Sequence, residues 1–261
     1  DVSVWAGTVA GALTEDASTT TASAALTITD ADGDDTPTIT DVSSTAGANG
    51  YGHFVMASGT WTYTIDSSAT NALDAGDSVT DTYAFAASDS TTQTVTVTIS
   101  GADDSVDAGS DGTGSVTEGA STTTATGSVS ASDVDGDDST FTYAIGTAAG
   151  TYGDLTMSGA AWTYTLNNAD TDTDALDAGD SVTDAFTITV TESSSSSTDT
   201  MTVTITVAGA DDTSVWAGTT TGSLTEDAST TTASAALTIT DADGDDTPTI
   251  TDVSSTAGAN G

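Results

Sequence analysis

Apolar and polar residues alternate along most of this chain with a period of two. Leu26 and Ile28 are interleaved with Thr27 and Thr29, and Trp61, Tyr63 and Ile65 with Thr62 and Thr64. Tyr83 and Phe85 alternate with Thr82 and small residues, and Val95, Val97 and Ile99 with Thr94, Thr96 and Thr98. Phe186, Ile188 and Val190 repeat the pattern, as do Met201, Val203, Ile205 and Val207. Successive side chains of a strand point to opposite faces, so each run predicts a half-buried β-strand with a β-branched polar outer face. Asp/Gly clusters, the segment 46–50 and the serines at 193–197 separate the runs as turns. No stretch has the period of a long amphipathic helix. Several short strands per hundred residues predict an all-β fold of Greek-key β-sandwich domains, each with a lean core.

The chain repeats itself. Ser214 to Gly261 restate Ser3 to Gly50 at an offset of 211 residues, changing only Val9, Ala10 and Ala12 to Thr220, Thr221 and Ser223. A weaker period lies inside the long one. Glu15 returns as Glu118 and Glu226, Trp61-Thr62-Tyr63-Thr64 as Trp162-Thr163-Tyr164-Thr165, and Gly101-Ala102-Asp103-Asp104 as Gly209-Ala210-Asp211-Asp212. The run Leu73 to Asp81 returns as Leu176 to Asp184. Tandem repetition at domain length predicts an elongated array. Its expected parts are 1–104 (repeat A), 105–212 (repeat B) and 213–261 (the first half of a further repeat A). The half repeat is expected to be a window on a longer repetitive polypeptide, or an element completed by strands of a neighbouring copy.

Composition narrows the function. The 261 residues include 40 Asp plus Glu, one His, no Lys or Arg and no Cys, for a formal net charge of −40. Nucleic-acid binding requires cations that displace counterions from phosphate, and the chain offers none. Polybasic membrane anchoring, lysine Schiff bases and phosphate-loop lysines are excluded on the same ground, and disulfides and Cys-ligated zinc by the lack of Cys. No apolar run is long enough to span a bilayer.

Most of the acids are expected to be solvated surface, but several cluster at positions set by the repeat. Asp30, Asp32, Asp34 and Asp35 fall within six residues, and their counterparts begin at Asp133 and Asp135. Asp103-Asp104 closes one repeat as the next begins. Crowded carboxylates repel, and Ca²⁺, which takes six to eight oxygen ligands, relieves the repulsion. An EF-hand is rejected: the glycine of position six would fall on Asp35, and the acid of position twelve on Asp41 in one repeat but on Ala144 in the other. The residues leave open calcium at the junctions, calcium in the Asp-rich loop alone, and no specific metal.

Each repeat resembles the VCBS-type repeat of giant bacterial adhesins and surface proteins, which has a cadherin-like sandwich. The matching elements are Leu26 to Asp35, Trp61 to Thr64, Ala72 to Asp77 and Gly101 to Asp104, with the second copy carrying the same set. The resemblance implies a tandem cadherin/Ig-like sandwich module, extracellular or at the cell surface, that is not an enzyme. It also implies Ca²⁺ at domain junctions. Glu15 resembles the early glutamate of such sites, Leu73-Asp74 the Leu-Asp motif and Asp103-Asp104 the acidic linker. Asp133 and Asp135 resemble the loop of the following domain, and Glu192, the counterpart of Asp89, its late acid. Ala75-Gly76 stands where the family has Arg-Glu, with Asp77 one place late, and the linker is shorter. One or two ions per junction are therefore expected. For the second junction the same resemblance gives Glu118, Asp177, Asp180, Asp211, Asp212, Asp241 and Asp243. Asp30 and Asp32 are the corresponding loop acids of the first repeat.

Other chemistry is thin. His53 is matched by Asp154 in the second repeat, so the repeat does not require an imidazole. Trp61 and Trp162 are expected in the cores. Trp5 and Trp216 stand at the start of their repeats, where the second repeat has Asp107, and are expected to plug a junction or form a lateral contact. The leading expectation is a calcium-stiffened spacer or stalk of a large adhesin or surface fibre, whose partners are neighbouring repeats or copies of itself. The alternatives are a self-assembling filament subunit and a glycan- or ice-binding module meeting a surface glycan.

Overall fold

The computed structural model describes residues 2–32, 35–135, 139–243, 246–254 and 258. In the first repeat the strands are β1 (Val4–Gly7), β2 (Ala10–Thr14), β3 (Thr21–Thr29), β4 (Val42–Ala46), β5 (Gly52–Ala57) and β6 (Thr60–Ile65). One helical turn, α1 (Ser67–Thr70), leads to β7 (Ser78–Ala86) and β8 (Thr92–Ser100). The second repeat holds β9 (Gly112–Thr117), β10 (Thr124–Ser128), β11 (Phe141–Ile145), β12 (Gly153–Ser158), β13 (Ala161–Leu166), β14 (Ser181–Glu192) and β15 (Thr198–Ala208). The pair β16 (Val215–Gly218) and β17 (Leu237–Thr240) follows. The fold is all-β, and among the described residues no helix is long and apolar enough to cross a membrane.

The first repeat is a sandwich of a five-stranded sheet, ordered β1-β3-β6-β5-β4, and a three-stranded sheet, ordered β2-β8-β7. The alternating residues meet between them. Leu26, Phe54, Met56, Trp61, Tyr63, Phe85, Val95, Val97 and Ile99 form one buried cluster, while the intervening threonines of β8 lie outside it. β2 runs parallel to β8, and all the other pairings are antiparallel. The second repeat follows the same plan with sheets ordered β10-β13-β12 and β11-β14-β15-β9, the last pair again parallel. Trp162, Tyr164, Leu155, Phe186, Ile188, Val203 and Ile205 are buried there.

The repeats differ after the Asp-rich loop. The second repeat forms β11 beside β14, whereas the first makes only an isolated bridge, Ile39 to Ala87. The first repeat has Pro37 where the second has Thr140, just ahead of this segment.

Each sandwich closes on a buried carboxylate. Asp81 accepts hydrogen bonds from the backbone N–H of Asn49 (2.9 Å), Tyr51 (3.1 Å) and Thr82 (3.0 Å) and from the Tyr63 hydroxyl (3.2 Å). Asp184 accepts from the N–H of Thr151, Tyr152 and Gly153 and from the Tyr164 hydroxyl at 2.8 Å. Burial and the neighbouring carboxylate push both tyrosine hydroxyls upward, so they remain donors. Gly47 is required beside Asp81, because a Cβ there would lie 2.1 Å from its Oδ2.

The chain gathers into two compact units. Unit 1 comprises Asp1–Asp107, Ala131–Phe141 and Thr191–Asp199, and unit 2 comprises Ala108–Ser130, Thr142–Val190 and Thr200–Gly261. Two loop segments of the second repeat thus belong with the first hundred residues. This grouping brings acids that are far apart in sequence into one place within each unit.

Candidate metal centres

In unit 1, Glu15 directly follows β2, and Asp16 after it takes a left-handed backbone (φ 52°). The Glu15 N–H bonds to Ser100 O at the end of β8, and its Oε1 accepts the Ala102 N–H at 3.1 Å. The carboxylate is thereby carried inward beside the acidic segment that follows β8, with the residue only 3% exposed. The turn after α1 carries Asp74. The loop of the second repeat brings Asp135, whose Oδ2 accepts the Asp104 N–H at 2.8 Å, and Asp133, whose Oδ1 accepts the Asp135 N–H at 3.0 Å. Oxygens of Asp74, Asp103 and Asp135 all lie within 4.8 Å of one another. Glu15 Oε2 and Asp133 Oδ2 are buried and meet no hydrogen-bond donor.

Unit 2 repeats the arrangement. Glu118, 3% exposed, follows β9, and its N–H bonds to Ala208 O at the end of β15. Oxygens of Asp177, Asp211 and Asp243 converge within 4.8 Å, as do those of Glu118, Asp174 and Asp212 and those of Asp241, Asp243 and Asp246. The Asp212 N–H donates to Asp243 Oδ2 at 2.8 Å, and Ser214 Oγ to Asp241 Oδ2 at 2.5 Å. Glu118 Oε2 and Asp243 Oδ1 are buried without a donor.

These groups strain one another electrostatically. Burial pushes the Asp104 carboxyl up to about 6, reinforced by a hydrogen bond with Asp16 and by repulsion from Asp16, Asp135 and Asp133. Burial likewise raises Glu15, with the Ala102 N–H opposing it and Asp16, Asp135 and Asp104 adding repulsion. Glu118 and Asp212 are raised by burial and by charges that include Asp174 and Asp243. A carboxyl raised in the folded state binds protons more tightly there than in the unfolded chain, so it favours folding at low pH and opposes it as pH rises through the raised value. The metal-free protein is therefore expected to melt at a higher temperature at pH 5 than at pH 7.5, with Asp104→Asn flattening the change. Calorimetry in chelator checks this, and a melting temperature that falls between pH 7.5 and 5 contradicts it.

Of the acids expected from sequence, Asp74, Asp103, Asp135, Glu118, Asp177, Asp211, Asp212, Asp241 and Asp243 fall in these converging groups, and Glu15, Asp104 and Asp133 lie beside the first of them. Asp77, Asp180 and Glu192 join none of them among the described residues. The backbone of Asp77 closes a turn, its N–H bonded to Asp74 O and its carbonyl to the Gly101 N–H, which leaves the side chain exposed. Asp180 occupies the equivalent turn and accepts the Asp177 N–H at 3.2 Å. Glu192 is buried, but its Oε2 is engaged by the hydroxyls of Ser195 and Ser197 within its own loop. Asp30 and Asp32 group with Asp35, beside an open cleft of about 460 Å³ lined by Ser3, Asp30, Asp35 and Asp89. Asp34, with Asp137 and Asp138 of the second copy, lies outside the described residues. Trp5 is half-buried against the core of its own sandwich, with Nε1 donating to Thr91 Oγ1 at 3.0 Å, and Trp216 is 58% exposed.

Three members were missed from sequence, Asp16, Asp174 and Asp246. Asp174 stands at the position of Asn71, 103 residues earlier. An oxygen-bearing side chain at that place in both copies was the available signal.

Comparison with known proteins gives this arrangement a setting. Residues 102–209 match the family model of the bacterial cadherin-like domain. A search of curated protein sequences returns no match. Among solved structures, the chain is similar to the protocadherin GammaB4 extracellular domain (17% identity over 87% of this chain and 36% of that one, TM-score 0.42). It is also similar to protocadherin PcdhgB3 EC1-4 (15% identity over 90% of this chain and 57% of that one, TM-score 0.44) and to the human Desmocollin-1 ectodomain (15% identity over 79% of this chain and 42% of that one, TM-score 0.35). The chain spans less than two thirds of the length of each.

Proposed function

Because the chain carries a cadherin-like repeat over residues 102–209, we propose that it is a non-enzymatic extracellular module, a spacer of an adhesive or surface-fibre protein whose repeats are locked end to end by Ca²⁺. The observation that carries this reading is the pair of buried oxygens in unit 1, Glu15 Oε2 and Asp133 Oδ2, which meet no donor beside crowded carboxylates. An uncompensated buried carboxylate is costly, and the chain has no Lys or Arg to offset it. The donor set is all oxygen, as a hard cation prefers, and unlike the thiolate and imidazole sets that suit zinc or copper.

Glu15 and Asp74 belong to the first repeat, Asp103 and Asp104 to the connecting segment, and Asp133 and Asp135 to the loop of the second. A Ca²⁺ held by them supplies the positive charge that lets these oxygens approach. Each residue contributes by position: Glu15 is fixed by Ala102, Asp135 by the N–H of Asp104, and Asp133 by the N–H of Asp135. Without the cation the same oxygens repel and the connection loosens. Glu118, Asp177, Asp211, Asp212, Asp241 and Asp243 act alike at the next connection.

Small-angle scattering of the whole chain is the test. With several millimolar Ca²⁺ the radius of gyration and maximum dimension should be fixed and reproducible. Chelator should broaden the distance distribution and change both values. Identical curves in the two conditions would sink the proposal.

A further inference from the structure

Among the described residues the two acidic centres have different donor sets, and two positions of the repeat contribute to the difference. At the first, the helical turn after β6 ends in Asn71, whose N–H bonds to Ser67 O at 3.0 Å. The matching turn after β13 ends in Asp174, whose N–H bonds to Asp170 O at 2.9 Å. The backbones correspond, but one turn presents an amide and the other a carboxylate. The amide Nδ2 of Asn71 lies 3.4 Å from Asp104 Oδ2, its donor end toward the acid. Asp174 instead completes a set of three carboxylates with Glu118 and Asp212, their oxygens within 4.8 Å of one another. Glu118 is almost wholly buried, and its Oε2 meets no donor.

At the second position the first repeat has Asp16 and the second Gly119, both with a left-handed backbone. Asp16 returns a charge to the first centre without reproducing the set. It bonds to the Asp104 carboxyl, and among the described residues Glu15 joins no group of three converging acids. The two centres thus carry similar charge in different places. In unit 2 the acids converge on the buried glutamate, and among the described residues of unit 1 they do not. Asp174 also lies outside every sequence element that carries the family resemblance, so this set is a property of this chain.

We infer that Glu118, Asp174 and Asp212 form a divalent-cation position with no counterpart among the described residues of the first centre, so that the two centres fill in order, unit 2 before unit 1. The inference rests on the cation-binding reading above. A stepwise response follows, in which one connection stiffens at a Ca²⁺ concentration where the other is still loose.

Hydrogen exchange of the full chain across a Ca²⁺ titration, followed by mass spectrometry, locates the events. Protection of the segment 205–215 should appear at a Ca²⁺ concentration about tenfold below that needed for 98–106. Asp174→Asn should remove this lead by weakening the midpoint for 205–215 about tenfold, while leaving 98–106 unchanged. Asn71→Asp should strengthen the midpoint for 98–106. Asp174 and Asn71 are not core residues, so both variants should fold, and circular dichroism confirms it. Equal midpoints that neither substitution moves would overturn the ordering and leave the cation reading intact. No protection at any Ca²⁺ concentration would overturn both.

Discussion

Asp81→Ala is expected to cost the first repeat about 3–5 kcal/mol, through the buried donors it leaves unsatisfied, and Asp184→Ala to do the same in the second. Asp81 has no measurable exposure. It survives inside a protein without Lys or Arg because a carboxylate has about four acceptor sites, and here they meet three backbone N–H groups and the Tyr63 hydroxyl. Alanine removes the acceptor and strands those donors, each at about 1–3 kcal/mol when no water reaches it. A domain whose whole stability is about 5–15 kcal/mol then loses a large share of it. Tyr63→Phe removes only one donor and should cost about 1 kcal/mol. Urea denaturation monitored by tryptophan fluorescence distinguishes them. An Asp81→Ala midpoint matching that of Tyr63→Phe would show that the backbone donors find other partners.

The second large effect expected is stabilisation by Ca²⁺. Extracellular modules bind with Kd values of about 0.1–1 mM. At roughly 10 mM Ca²⁺ an ion that binds only the folded state contributes RT ln(1 + [Ca²⁺]/Kd), about 1.4–2.7 kcal/mol. For a repeat of this size that raises Tm by on the order of 10 °C per ion. Mg²⁺ at the same concentration should do much less, because it holds its waters and demands a smaller octahedral cage. Glu15→Gln keeps the shape and the Ala102 hydrogen bond while removing the charge, so it should blunt the calcium response of unit 1. It should also stabilise the metal-free protein, because burial penalises the ionised glutamate. Scanning calorimetry with Ca²⁺, Mg²⁺ and chelator reads all three. Equal shifts from both cations would mean only screening of the net charge.

Much of the fold was legible in the sequence because strand periodicity is local. Leu26, Trp61, Tyr63, Val95, Val97 and Ile99 are buried at the positions that the alternation selects. Pairing was less legible. Nothing local tells β2 to run parallel to β8, or tells the segment after Pro37 to shrink to a bridge where the second repeat builds a strand. In the metal centres, the acids fixed by repeated motifs, Glu15, Asp74, Asp103 and Asp135, could be read. Asp77 could not be placed, because its orientation depends on a turn that buries its backbone and not its side chain. Asp174 was missed because it became visible only against Asn71. The role of Asp81 and Asp184 was hidden for a different reason: it depends on donors about thirty residues away.

The parallel pairs have a mechanical consequence. Within each repeat a strand near the start, β2 or β9, lies alongside the closing strand, β8 or β15, pointing the same way. A pull on the two ends of a repeat draws these neighbours in opposite directions along their length. The ladder from Ala10–Thr96 to Thr14–Ser100 is then loaded in shear, with its bonds sharing the force together instead of opening one at a time from an edge. Survival under load is set by the rate of unfolding, not by its equilibrium. A lean sandwich of modest equilibrium stability is therefore joined, between a strand near its start and its closing strand, in a geometry that loads the ladder in shear.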